Sequence, residues 1–173
     1  MKRSIRAVAL CVVLILILVP LKGICFAGQY QVTRVVDGDT IIVNNGDAKM
    51  TIRLVGIDAP EISHSKHQPG QPFSQQSTQY LASLVLNRTV DIKSHGPDRY
   101  GRTLGEVFVD GKSVTLEMVK TGLAEVYRGK PVAGQNMELY WKAEEAARNA
   151  KRGMWVSGDK YVSPREWRKT HGN

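Results

Sequence analysis

Cysteine is nearly absent from this chain. Two occur among 173 residues, Cys11 and Cys25, and both lie within the first 27. From residue 28 onward there is no disulfide and no thiolate ligand, so that part must fold on its core alone. Histidine is almost as scarce, with four in all. His64 and His67 form "HSKH", but no further His or Cys lies near them in sequence. A zinc pair would lack its other ligands, and a solvated loop is expected there instead. The chain also lacks internal repeats and low-complexity linkers.

Acidic residues are missing from the N-terminal segment. It opens "MKRSIR", continues through the apolar "AVALCVVLILILVPL" and reaches small residues at Cys25 and Ala27. A basic start, an apolar run of about 15 residues and small residues beyond it make a secretory signal pattern, with cleavage expected after Ala27. The run is short of the roughly 20 residues that span a bilayer and carries Pro20, so an anchor over residues 7–26 is the alternative. Lipidation at Cys25 is disfavoured by the bulky Ile24 before it. An exported protein, periplasmic or secreted, is therefore expected.

Residues 28–173 are enough for one domain with a real core. The formal charge of the whole chain is +8, and the leader's Lys2, Arg3, Arg6 and Lys22 account for half of it. A modest basic remainder favours a polyanionic partner without specifying one.

The apolar pattern predicts strands over 30–36 and 40–43, a hairpin turn at Asn45-Gly46, and a third strand over 50–57. A helix follows over "FSQQSTQYLASLVLN", with Phe73, Tyr80, Leu81, Leu84 and Val85 sharing a face. "TVDIK" and "LGEVFV" read as strands, "TLEMVKTG" as a short helix ended by Gly122, and "LAEVY" as an extended piece. "MELYWKAEEAARNAKRG" reads as a helix with a solvated face of Glu–Lys/Arg pairs, and Tyr140 and Trp141 as core. "SPREW" carries a capping box. Five short strands with a helix after the third fit a small closed barrel of the OB type, an α+β fold with about three helices, plus a short helix in a C-terminal extension over 158–173.

Two sequence clusters carry chemistry. In the first, Asp39 of "VVDGDTIIV" and Asp58 of "GIDAPE" each sit at the end of an apolar strand, with no basic residue adjacent in sequence. If the strands are neighbours, two carboxylates meet, and oxygen donors without sulfur or imidazole suit calcium or magnesium. Both aspartates could equally be plain turn formers. Arg53 lies mid-strand, where a charged side chain needs a partner or faces solvent. Glu61 either points back to the same place or is a solvated loop acid. In the second cluster, Arg99, Tyr100 and Arg102 of "DRYGRTLGEVF" suit phosphate and base contacts, or simply form a basic hairpin loop.

Together these stretches resemble the staphylococcal nuclease (thermonuclease) family. "DGDTIIV", nine residues, "RLVGIDAPE" and then "DRYGRTLGEVF" reproduce its signatures, about a dozen positions at matching spacing. The resemblance covers residues 30–157, and the tail "SPREWRK" is similar to exported bacterial members. It implies an OB-fold nuclease domain over 28–157 that binds one calcium ion through Asp39, Asp58 and the backbone carbonyl of Ala59, where the family often has threonine. Asp37 would hold a metal-bound water, and Gly38 would let the chain bend between the two aspartates. Arg53 and Arg102 would hold the scissile phosphate, and Glu61 would be the general base. Arg99, Tyr100 and Tyr127 would contact substrate. The implied reaction is endonucleolytic hydrolysis of DNA and RNA, single-stranded or locally opened, with little sequence choice and 3′-phosphate products. A monomer without a stable protein partner is expected. The rival reading is an OB module that binds nucleic acid through a decayed site.

Overall fold

The computed structural model describes residues 28–46, 48–63 and 69–171. The expected signal segment and the His64/His67 loop lie outside the described residues. Three antiparallel strands open the domain: β1 (Gln29–Val35), β2 (Thr40–Asn44) and β3 (Lys49–Leu54). Helix α1 (Ser74–Val85) leads to β5 (Thr89–Pro97) and β6 (Thr103–Val109). The short β4 (Ile57–Asp58) lies between β3 and α1. After β6 come β7 (Lys112–Ser113), α2 (Val114–Lys120), β8 (Glu125–Val126), α3 (Met137–Asn149), a 3-10 segment (Gly153–Lys160) and α4 (Pro164–His171).

The sheet runs in the order β3-β2-β1-β5-β6-β7 and closes on itself where β3 pairs with β6. That closure is parallel, with Ile52 opposite Thr103 and Arg53 opposite Leu104. The five-stranded barrel expected from the pattern is therefore present, and closure removes the open sheet edges. Alternation along each strand sends Val32, Ile41, Val43, Ile52, Leu54, Val90, Ile92 and Val107 inward, all essentially inaccessible to water. Each such side chain contributes about 1.5–3 kcal/mol through burial.

Helix α1 presents Leu81 and Val85 to this core, as its spacing predicts, while Tyr80 and Leu84 pack at the edge. Phe73 does not join them. It packs instead against a second small cluster of Ala147, Met154 and Trp155, together with Tyr161. This cluster attaches α3 and the 3-10 segment to the barrel.

Two further elements differ from expectation. The strand predicted over 50–57 is broken at Gly56, which takes a left-handed φ of 81°. A Cβ there would stand 2.3 Å from the Gln135 side-chain amide, which can swing aside, so it is the left-handed backbone that demands glycine. The break frees β4 to pair with β8, placing Asp58 opposite Glu125. The other change is in α3. Glu144 is not on a solvated face but is buried, accepting bonds from the Val126 amide (2.8 Å) and Arg128 (2.6 Å). Tyr140 is core as expected, whereas Trp141 is 41% exposed with the Arg128 guanidinium 4.6 Å above its ring.

Candidate active site

The chain order of the barrel brings the two sequence clusters to one rim. Alternation buries Ile52 and Leu54 and so turns Arg53, between them, to the other face of β3. Antiparallel pairing sets Arg53 opposite Thr40, beside Asp39 at the entry to β2. Parallel pairing of β3 with β6 brings the residues before Thr103, including Arg102, to the same end. Between them opens a cleft of about 960 Å³, lined by Asp37, Asp39, Arg53, Asp58, Ala59, Glu61, Arg99, Tyr100, Arg102 and Tyr127 among others. Every candidate residue from both clusters is thus at one place.

Asp39 and Asp58 are buried, and one guanidinium joins them. Arg53 contacts Asp39 Oδ2 through Nη1 and Asp58 Oδ1 through Nη2 at 3.0 Å. The Ala59 amide donates to Asp39 Oδ2 at 2.9 Å, tying the two sequence motifs together directly. Thr40 Oγ1 donates to Asp39 Oδ1 at 3.1 Å. Asp37 accepts from the Asp39 amide at 3.0 Å, closing a tight turn. Burial pushes the Asp37 carboxyl up from its ordinary value, with Arg53 pulling the other way. Burial likewise pulls Arg53 down, opposed by Asp58 and Asp37.

Gly38 sits between the two aspartates for a reason other than the expected flexibility. It does not adopt a left-handed φ. A Cβ on it would lie 2.0 Å from Ser77 Oγ and 2.7 Å from the Ala59 side chain. Helix α1 and the Asp58 segment press against the turn, and only a residue without a side chain leaves room.

Arg102 is held from its own loop. Asp98 Oδ2 accepts from Arg102 Nε at 2.8 Å, and Asp98 Oδ1 accepts from the Tyr100 and Arg102 amides at 2.8 and 3.0 Å. Burial would raise the Asp98 carboxyl, but these bonds prevail and hold it below its ordinary value. Tyr100 is 66% exposed, with Arg99 4.7 Å from its ring centre. Tyr127 also lines the cleft and is exposed.

The structure adds a residue that sequence reasoning missed. Arg168 of α4 reaches across the cleft mouth and grips Asp58 with a two-pronged contact, Nη1 to Oδ1 at 3.0 Å and Nη2 to Oδ2 at 2.7 Å. Nη1 also contacts Glu61. Asp39, which lacks a basic neighbour in sequence, has Arg53 in space, and Asp58 has both Arg53 and Arg168. A separation of 110 residues from Asp58 hid the second; its only sequence signal was a basic helix in the tail. Asp98 was also missed as the support for Arg102, although it opens the second motif.

The acidic side chains of the cleft offer carboxylate oxygens without sulfur or imidazole beside them, a set that suits a hard cation. No group of three or more acid, His or Cys side chains at metal-binding distance occurs among the described residues. A cation here would rest on Asp39 and Asp58 with backbone and water oxygens completing its shell.

The family described as staphylococcal nuclease homologue matches residues 51–157. Among similar proteins, the "Probable endonuclease LCL3" of Meyerozyma guilliermondii is 37% identical over 131 residues, covering 72% of this chain and 57% of its own length. Its namesake from Clavispora lusitaniae is 40% identical over 124 residues, covering 68% and 53%. That from Pyricularia oryzae is 40% identical over 126 residues, covering 69% and 49%. The chain spans about half the length of these curated relatives. They are fungal and lend nothing to the expected bacterial source.

Proposed function

The chain belongs to the staphylococcal nuclease family, and from that premise we propose that it is a calcium-dependent endonuclease acting on DNA and RNA. The observation that carries the reading is the pair of buried carboxylates, Asp39 and Asp58, bracketed by Arg53 at the cleft that also holds Glu61 and Arg102. The name "probable endonuclease" of the fungal relatives supports it. A decayed binding module would be expected to lose these acids and arginines, and here all line one cleft.

Asp39, Asp58 and the Ala59 carbonyl would hold the ion, with Asp37 ordering water beside it. When bound, calcium would supply positive charge to a non-bridging phosphate oxygen and orient the attacking water. Arg53 and Arg102 would bind the same phosphate and stabilise the charge that grows on it, Arg102 being pre-aimed by Asp98. Glu61 would accept the proton of the attacking water. Arg99, Tyr100 and Tyr127 line the cleft lips, where stacking and phosphate contacts impose little sequence choice. Cleavage of the 5′ P–O bond would leave 3′-phosphate ends.

The test is digestion of single-stranded DNA and of RNA by the folded protein in calcium and in EGTA, with end-group analysis of the products. Calcium-dependent cleavage giving 3′-phosphates is expected; a folded protein that cuts nothing in calcium would overturn the reading. We further propose a monomeric domain over 28–157, exported after cleavage at Ala27. A bacterial source rests on the tail "SPREWRK" alone. N-terminal sequencing of the protein from its cell would read the cleavage site.

A further inference from the structure

The grip of Arg168 on Asp58 has no place in the catalytic roles above. It occupies both oxygens of a carboxylate that those roles assign to a cation. Arg53 uses Oδ1 as well. Three N–H donors therefore converge on a group with about four acceptor positions. Adding a doubly charged ion at Asp58 takes up an acceptor position and sets positive charge against the guanidinium. Three donors leave one position free, so crowding alone evicts neither arginine; it is the repulsion between the ion and two guanidiniums on one carboxylate that favours release of one, and their settings decide which. The Arg53 side chain is 15% exposed and walled into the barrel rim, whereas that of Arg168 is 42% exposed.

The attachment of α4 points the same way. Its first turn is anchored: Pro164 is buried, and the Gln71 amide donates to the Val162 carbonyl at 2.8 Å just before it. Its capping box is internal, Ser163 with Glu166. Beyond that turn every residue is exposed except the half-buried Trp167, whose ring stacks on His171 of the same helix at 3.8 Å. Beside that contact a cavity of about 240 Å³ lies between arm and barrel, lined by Asp58, Glu125, Tyr127 and Arg128 together with Arg165 and Arg168. Past its anchor, the side-chain hydrogen bonds that join the arm to the barrel among the described residues come from Arg168.

We propose that α4 is a cation-released arm, in which Arg168 takes the place of the metal at Asp58, touching Glu61 beside it, and is displaced when a divalent cation binds. The proposal rests on the cation site assigned above. It makes Arg168 an internal competitor that sets the apparent cation affinity, and it couples metal binding to undocking of the tail.

Calorimetric titration with calcium alone, without nucleic acid, tests this on the full chain and on Arg168→Gln. The variant should bind calcium on the order of tenfold more tightly, the scale of a lost charge-assisted contact. Lys169→Gln, which removes the same charge from the same helix, should leave affinity nearly unchanged. Calcium should also speed hydrogen exchange of the 165–171 amides in the unaltered protein. Equal or weaker binding by Arg168→Gln would sink the proposal, as would an equal gain from Lys169→Gln, which would mean long-range charge alone. Binding by the variant but not by the parent supports it. If neither binds calcium, the cation reading falls with it, an outcome distinct from the others. Thermal melts confirm that each variant is folded.

Discussion

Arg53 and Arg168 hold the same carboxylate from different depths of the molecule. Arg53 grows from the middle of a barrel strand, is flanked by two fully buried residues and joins two buried aspartates. Arg168 comes from a helix of the tail and reaches in from solvent, its side chain 42% exposed. The difference is one of consequence. Removing a charge locked inside leaves its partners stranded in a poor dielectric, while removing one at the surface lets water replace it.

The largest effect should come from Arg53→Met. Asp39 and Asp58 would lose their shared counter-charge, and stability in EGTA should fall by about 3–5 kcal/mol in chemical denaturation. A loss below about 1 kcal/mol would show that Arg168 alone suffices, and the comparison would collapse. Arg102→Ala should cut the rate of DNA cleavage by about 10²–10³-fold. The same variant should change stability little, since its partner Asp98 stands on a surface loop. Normal rates would remove Arg102 from the proposed mechanism.

Arg168→Gln in EGTA should cost only about 1 kcal/mol, as for an accessible pair. Finding it as costly as Arg53→Met would mean that α4 is part of the core. Glu125→Gln probes the neighbour of Asp58 in the β4–β8 ladder. Burial raises the Glu125 carboxyl above its ordinary value despite the Tyr161 hydroxyl, which donates to it at 2.6 Å. A raised carboxyl favours folding at low pH, and that advantage is lost as pH rises from the ordinary glutamate value through the folded one. The glutamine variant should therefore gain on the parent in thermal melts at neutral pH and lose the gain below about pH 4. A gain that is flat with pH would show that the charge is not at issue. The smallest effect belongs to the Glu138–Lys142 pair on the open face of α3, where both side chains are about 70% exposed. Lys142→Ala should shift stability by about 0.3–0.5 kcal/mol, against which the buried Glu144 on the same helix stands in contrast.

Much of the barrel was legible because strand alternation is a local signal. Ile41 and Val43, or Ile52 and Leu54, announce an inner face within a few residues. The first motif was legible for the same reason: a turn and two strand ends hold their own spacing. Glu144 was misread because a helix rich in Glu and Lys looks solvated from end to end. Its burial is set by the β8 amide it meets, 18 residues away. Trp141 erred the other way, since its size suggested core and only the docking of α3 left it outside. Gly38 was assigned to bending, yet its cause is Ser77, brought against it by α1.

The sequence by itself determined the main strands, their order along the chain and the chemical types gathered in the two motifs. Those follow from side-chain polarity and from backbone preferences that act over a few residues. Which carboxylate is neutralised by which arginine was decided only in three dimensions. Electrostatic pairing depends on distance through space, and no local pattern carries it across the 110 residues between Asp58 and Arg168.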